Sequence, residues 1–267
     1  MRPLICSFSS RVNPMFRTRH VFVFLTLFIS FFLSTSVNAN VALSKFRVFF
    51  DSQSRTDSLQ LRNTGSSDLK YSAELVLNAM TEDGTIYSVS EDSLSAQKFI
   101  RFSPKRGTIK PGERQALRFS LRKPANLENG EYRAVLRLVT ELAPTESGNV
   151  NLASKLAYNV PIIVRHGEVS VSTSLEAPTT VMHNGQPHIQ VWQTRSGNRS
   201  IFGNFIVETP DGEELGVINN VAVYRPLERR KVLIPLVKAV KGPVVIRYTE
   251  NRKFGGDTEL SVAHTIN

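Results

Sequence analysis

Between residues 41 and 166, apolar side chains recur at every second position, in short runs cut by glycine and proline. Leu69, Tyr71, Ala73, Leu75 and Leu77 hold this period. So do Leu117, Phe119 and Leu121, and then Tyr132, Ala134, Leu136 and Leu138. A period of two sends alternate side chains to opposite faces of an extended strand, so each run has one apolar face to bury. Asn63-Thr64-Gly65-Ser66, Asp83-Gly84 and Lys110-Pro111-Gly112-Glu113 are turn signals between runs. No helical period competes with this pattern. The expected fold is all-β, an antiparallel sandwich. Residues 88–98 are the least patterned and are expected to form a loop or a helical turn.

Arg165-His166-Gly167-Glu168 marks a hinge, and the pattern then resumes on a smaller scale. Candidate strands are 169–175, 188–193, 202–208, 215–224, 231–236, 244–248 and 259–263, with turns at Pro210-Asp211-Gly212 and Lys241-Gly242-Pro243. Two all-β domains are therefore expected, at 40–166 and 167–267. Trp192 and Tyr224 read as core residues of the second.

Residues 1–39 read as an export signal. Arg2, Arg11, Arg17 and Arg19 precede the apolar run Val21–Leu33, and Val37-Asn38-Ala39 ends a polar stretch with a small residue. The run is shorter than the roughly 20 residues a membrane-spanning helix needs. Cleavage after Ala39 removes the single cysteine, Cys6, and leaves no thiol or disulfide in an oxidising compartment. It also removes four arginines and no acid, so the remaining 29 Lys and Arg exceed the 23 Asp and Glu by six. That surface is mildly basic, with no Lys/Arg block dense enough for a nucleic-acid site. The 228 residues that follow are enough for one large core or two ordinary ones.

The residues suited to enzyme chemistry do not assemble into a motif. His183 and His188 lie in a Gly/Pro-containing stretch without a carboxylate to complete a ligand set. No nucleophile elbow, phosphate loop or dinucleotide fingerprint occurs. The expectation is a protein that is not an enzyme and uses no cofactor or metal. A binding role fits two other features. In Lys45-Phe46-Arg47-Val48-Phe49-Phe50, Arg47 sits among large apolar residues. A guanidinium there either faces solvent or meets an anion. In the last run before the hinge, Val150, Leu152, Leu156, Tyr158 and Val160 are apolar at even positions, interrupted by Ser154. Such a strand is either an ordinary half-buried one or an edge offered to a partner strand.

The order of these segments resembles the PapD-like periplasmic chaperones of pilus and fimbrial assembly. The likeness covers most of residues 41–167. It runs through Arg47-Val48-Phe49, Leu59-Gln60-Leu61-Arg62-Asn63, Phe102-Ser103-Pro104, Ile109-Lys110-Pro111-Gly112-Glu113-Arg114-Gln115, Gly130-Glu131-Tyr132-Arg133 and Val160-Pro161-Ile162-Ile163-Val164-Arg165. The resemblance implies two immunoglobulin-like β-sandwich domains in a boomerang arrangement, after a cleaved signal peptide. It implies a periplasmic chaperone that completes the fold of secreted pilin-like subunits by lending them a strand. An outer-membrane assembly platform would be the second partner, with no nucleic acid and no stable membrane insertion. The donor residues would be Leu152, Leu156, Tyr158 and Val160, and Arg47 would anchor the subunit's terminal carboxylate, hydrated by the open cleft when free. Glu131 and Arg165 would form the salt bridge placed between the domains.

One position departs from the family. The anchor arginine is usually paired with a lysine on the final strand, and the register puts Pro161 there. Lys155 is about 20 Å away along the strand. Two alternatives follow, a divergent chaperone with a one-residue clamp or a relative with a different client. A structural or adhesive envelope protein built on the same sandwich is the other reading, and it would bury the edge at 150–160.

Overall fold

The computed structural model describes residues 41–142 and 155–267. In chain order the first half holds β1 (Val41–Leu43), β2 (Val48–Phe50), β3 (Thr56–Asn63), β4 (Leu69–Val76), β5 (Asn78–Met80), β6 (Ile86–Ser88), β7 (Ile100–Ser103), β8 (Arg106–Ile109), β9 (Arg114–Leu121), β10 (Gly130–Leu142) and β11 (Lys155–His166). The second half holds β12 (Val171–Ser172), β13 (Leu175–His183), β14 (Gln186–Thr194), β15 (Ser196–Gly197), β16 (Ile201–Glu208), β17 (Glu214–Val223), β18 (Arg229–Pro235), β19 (Gly242–Glu250) and β20 (Glu259–Ile266). No α-helix occurs among the described residues, and no described helix is long and apolar enough to cross a membrane.

The first half is a sandwich of two sheets, ordered β1-β3-β9-β7 and β2-β11-β10-β4-β8. Their inner faces carry the alternating residues seen in the sequence. Leu59, Leu61, Leu117 and Phe119 from one sheet meet Leu69, Leu136, Leu138 and Ile162 from the other in a single core. The second half repeats the plan with sheets β13-β14-β18 and β17-β16-β19-β20, around Ile189, Val191, Phe205, Val232, Ile234, Ile246 and Tyr248. A small third cluster of Ile163, Ala222 and Tyr224, with Phe49, Met80 and Phe202 against it, joins the outer face of the first sandwich to the second.

The second core is tight enough to forbid a methyl group at Gly203. A Cβ there would lie 2.3 Å from the Thr249 carbonyl oxygen and 2.7 Å from the Tyr248 ring. The first of these is backbone of the neighbouring strand β19, which cannot swing aside. Gly203→Ala is expected to destabilise the protein by about 1–3 kcal/mol, read as a lower denaturation midpoint. An unchanged midpoint would show that β16 and β19 are looser than this.

Strand pairing leaves one edge open. β11 pairs along its whole length with β10, from Gly130↔His166 to Glu141↔Lys155. On its other side β2 covers only Ile162–Val164. Among the described residues nothing pairs with that side from Lys155 to Pro161. The β5–β6 hairpin, closed at the predicted Asp83-Gly84 turn, reaches from the first sandwich to β18. There the Lys231 amide donates to the Glu82 carbonyl (2.6 Å) and Arg229 Nε donates to the Glu82 carboxylate (2.8 Å).

Candidate functional site

The open edge of β11 passes out of the core as it runs back toward residue 155. Ile162 and Val160 are buried in the first core, Tyr158 is half-buried against it, and Leu156 is 44 % exposed. The row of even positions therefore begins as core and ends in water. Lys155, Ala157 and Asn159 on the other face are exposed. Val160 departs from the expectation for a donor residue. It is 1 % exposed and packs inside its own sandwich, so only its backbone faces the edge. Leu152 lies outside the described residues. Unpaired edges invite unwanted association, and natural sheets blunt them with charge and proline. Here Lys155, ion-paired with Glu141 at 3.2 Å, and Pro161 stand at the two ends of the open stretch.

Arg47 lies beside this edge. The parallel register sets Val48 against Ile162, so one residue earlier Arg47 falls next to Pro161. Both line a cleft of about 440 Å³ together with Phe46, Phe202, Tyr224 and Phe254. Open water does not hydrate the guanidinium here, because Arg47 is only 7 % exposed. Its Nη2 donates to Tyr224 Oη at 2.7 Å. Its central carbon sits 3.8 Å above the Phe202 ring and 5.5 Å from the Tyr224 and Phe254 rings. Aromatic faces attract a cation through their quadrupole, which offsets part of the lost hydration. Nε is buried without a partner. A carboxylate entering the cleft would meet a cation that is already oriented and largely dry, where charge-assisted hydrogen bonds are strongest.

Tyr224 is buried, but in the cluster between the sandwiches and not in the second core, and it lines the cleft; Trp192, also expected in that core, is half-buried. Trp192 lies at the sandwich surface with Arg229 4.8 Å from its ring. His183 and His188 flank the Asn184-Gly185 turn of the β13–β14 hairpin, with ring centroids 5.3 Å apart. No group of three His, Cys, Asp or Glu gathers among the described residues.

Glu131 and Arg165 face each other across β10 and β11, with Arg165 Nε donating to Glu131 Oε2 at 3.1 Å. Both are buried. The other carboxylate oxygen, Oε1, accepts from the Ser200 amide at 3.2 Å, and Arg165 Nη1 donates to the Gly255 carbonyl at 3.0 Å. The pair thus ties the first sandwich to two segments of the second. Glu250 of the second half is held by Arg199. Burial alone would lower the pKa of Arg199, but its hydrogen bond and charge pairing with Glu250 outweigh this and raise it.

Sequence pattern gives no functional role to Phe202, which lines this cleft with Arg47 and Tyr224, or to Arg133 and Arg230, which line an adjoining cavity with Tyr224. Phe202 and Arg133 sit in strand-like runs, where alternation gives them a face but no partner. Arg47 and Tyr224 are 177 residues apart.

The sequence matches no family model and no curated protein. Solved structures similar to the chain include the YadV chaperone, at 12 % identity and TM-score 0.49 over 85 % of this chain and 100 % of that one. A second is the CsuC–CsuE chaperone–tip adhesion subunit pre-assembly complex from Csu pili of Acinetobacter baumannii (15 % identity, TM-score 0.48, 84 % of this chain and 98 % of that one). A third is the Salmonella enterica SafA pilin in complex with the SafB chaperone (12 % identity, TM-score 0.49, 86 % and 99 %).

Proposed function

We propose that this chain is a periplasmic chaperone of pilus- or fimbria-type subunits. It lends its β11 edge to a subunit that lacks a strand, and hands that subunit on to an outer-membrane assembly platform. The observation that carries this reading is the unpaired stretch 155–161, with half-exposed Leu156 on its core-facing row, beside the Arg47 cleft. A partner strand laid on that edge gains main-chain hydrogen bonds along its length. Leu156, Tyr158 and Leu152 then supply the apolar side chains its own fold lacks, and Arg47 fixes the register by gripping a terminal carboxylate. The work is done by binding and calls for no nucleotide. A purely structural sandwich protein would have no reason to keep this edge unpaired, which disfavours the adhesive reading.

Co-purification tests it. Tagged wild-type protein from the periplasm should carry small β-rich secreted subunits, identified by mass spectrometry. Arg47→Ala should retain about a tenth of them or less, since a charge-assisted hydrogen bond contributes on the order of 1.5–3 kcal/mol. Recovery of a stable, well-expressed protein with no such subunit would overturn the assignment.

A further inference from the structure

Behind Tyr224 a second cavity, of about 250 Å³, opens between the sandwiches. Its lining includes Arg133 from β10, Arg230 from β18, Asn78 and Gly84 from the β5–β6 hairpin, and Val135. It shares Pro161, Asn220 and Tyr224 with the Arg47 cleft, so the two cavities adjoin. The hairpin roofs it, pinned to β18 through Glu82.

The arginines of this cavity, like Arg47, lack the partners that the other buried arginines among the described residues have. Arg165 and Arg199 each have a carboxylate, and Arg195 donates to three backbone carbonyls. Arg133 donates only to the Asn78 carbonyl and lies 4.2 Å over the Tyr224 ring. Arg230 donates only to the Ala222 carbonyl (2.7 Å), packs on the Gly84 turn, and keeps a buried Nε with no partner. A guanidinium has five N–H donors, so most of those in this cavity are uncommitted. Among the described residues no carboxylate oxygen lies within 4.0 Å of Arg47, Arg133 or Arg230. Asp92 and Glu131 act on Arg133, and Asp83 on Arg230, only at longer range, and Glu131 is already held by Arg165 and Ser200. Burial pulls the pKa of both Arg133 and Arg230 below the usual arginine range, and the acids at longer range do not offset it. The Asn78 Oδ1 atom is also buried without a partner, and a half-turn of that amide would present an NH2 instead.

The geometry points to a second anion seat in the cleft, in which Arg133 and Arg230 take a carboxylate of the bound polypeptide. Tyr224 lines both this seat and the Arg47 cleft, with the guanidinium carbons of Arg133 and Arg47 at 4.2 and 5.5 Å from its ring. Only the source of the carboxylate rests on the chaperone reading. With the chain end on Arg47 it is an acidic side chain close to that end; a chain end seated here would take the anchor role from Arg47. The seat itself follows from Arg133 over the Tyr224 ring and Arg230 in the same cavity, with no carboxylate within 4.0 Å of either among the described residues.

The test uses the mature protein without a client. The Nε–Hε signals of its arginines are followed by NMR during titration with N-acetyl-phenylalanine, which carries only a terminal carboxylate. A parallel titration uses N-acetyl-glutamic acid α-amide, which carries only a side-chain one. N-acetyl-phenylalanine amide is the neutral control. The Arg133 and Arg230 signals should move saturably with at least one acid and not with the control, and the tighter acid identifies the source. Arg133→Gln and Arg230→Gln should each weaken that binding about tenfold. Arg230 is only partly buried, so its variant remains informative if Arg133→Gln does not fold. A response confined to Arg47, or one reproduced by the neutral amide, would overturn the proposal. Either result leaves client capture by the β11 edge standing, because no client is present. Loss of client capture would leave this titration readable.

Discussion

Glu131→Ala is expected to destabilise the protein by about 3–5 kcal/mol, the usual cost of removing one partner from a buried ion pair. The carboxylate accepts from Arg165 at 3.1 Å and from the Ser200 amide at 3.2 Å. Its loss strands a buried guanidinium and a buried N–H together. Arg165 would keep the Gly255 carbonyl and its place 5.1 Å from the Phe49 ring, but neither carries a full counter-charge. The effect is read as the shift in thermal or urea midpoint. Replacing both partners by apolar residues of similar size, Glu131→Leu with Arg165→Met, should recover most of the loss, because no charge is then left buried alone. A change of under about 1 kcal/mol for Glu131→Ala would instead mark the pair as a solvent-screened contact.

Leu156→Glu should abolish subunit capture while leaving the fold intact. Leu156 is 44 % exposed in the free protein, so a glutamate there is solvated and stability should change by no more than about 0.5 kcal/mol. In the proposed complex the same position would enter the subunit's apolar groove. Losing the burial of a leucine forfeits about 1.5–3 kcal/mol, and the carboxylate adds a desolvation cost. Affinity should fall by about 100-fold or more. Equal recovery of subunits by wild type and Leu156→Glu, with both proteins folded, would mean that the even row of β11 does not enter the partner.

Much of this architecture is legible in the sequence because strand period and turn chemistry are local. The runs at 69–77, 117–121 and 132–138 fall within β4, β9 and β10 or at their ends. The turn at Asp83-Gly84 closes a hairpin. The register implied by the family resemblance also puts Pro161 beside Arg47, and the pairing of Val48 with Ile162 agrees. β13 is not legible. Its residues are half-exposed or exposed throughout, Pro178 interrupts it, and Ala177 has φ of 48° at an irregularity in its pairing with β14. An edge strand with no buried face leaves no alternation to detect.

The cleft is legible only from one side. Arg47 is conspicuous as a charge among phenylalanines, but alternation cannot say what it meets. Tyr224, just after β17, has the residue type of a core position and becomes a cleft residue only when the two sandwiches come together through Ile163 and Ala222. Arg133 and Arg230 belong to different sandwiches and have no local signature at all. Contacts across a domain junction are set by tertiary packing, which a strand pattern does not encode.

The central claim is that β11 between Lys155 and Val160 is a free edge that pairs with a strand of the client. Amide hydrogen exchange, compared between the free protein and its purified complex with a captured subunit, tests it most directly. The prediction is fast exchange for the outward-facing amides of this stretch in the free protein and strong protection in the complex, with little change in the core strand β9. Unchanged exchange at 155–160 on subunit binding would contradict the account, because the subunit would then be held by some other surface.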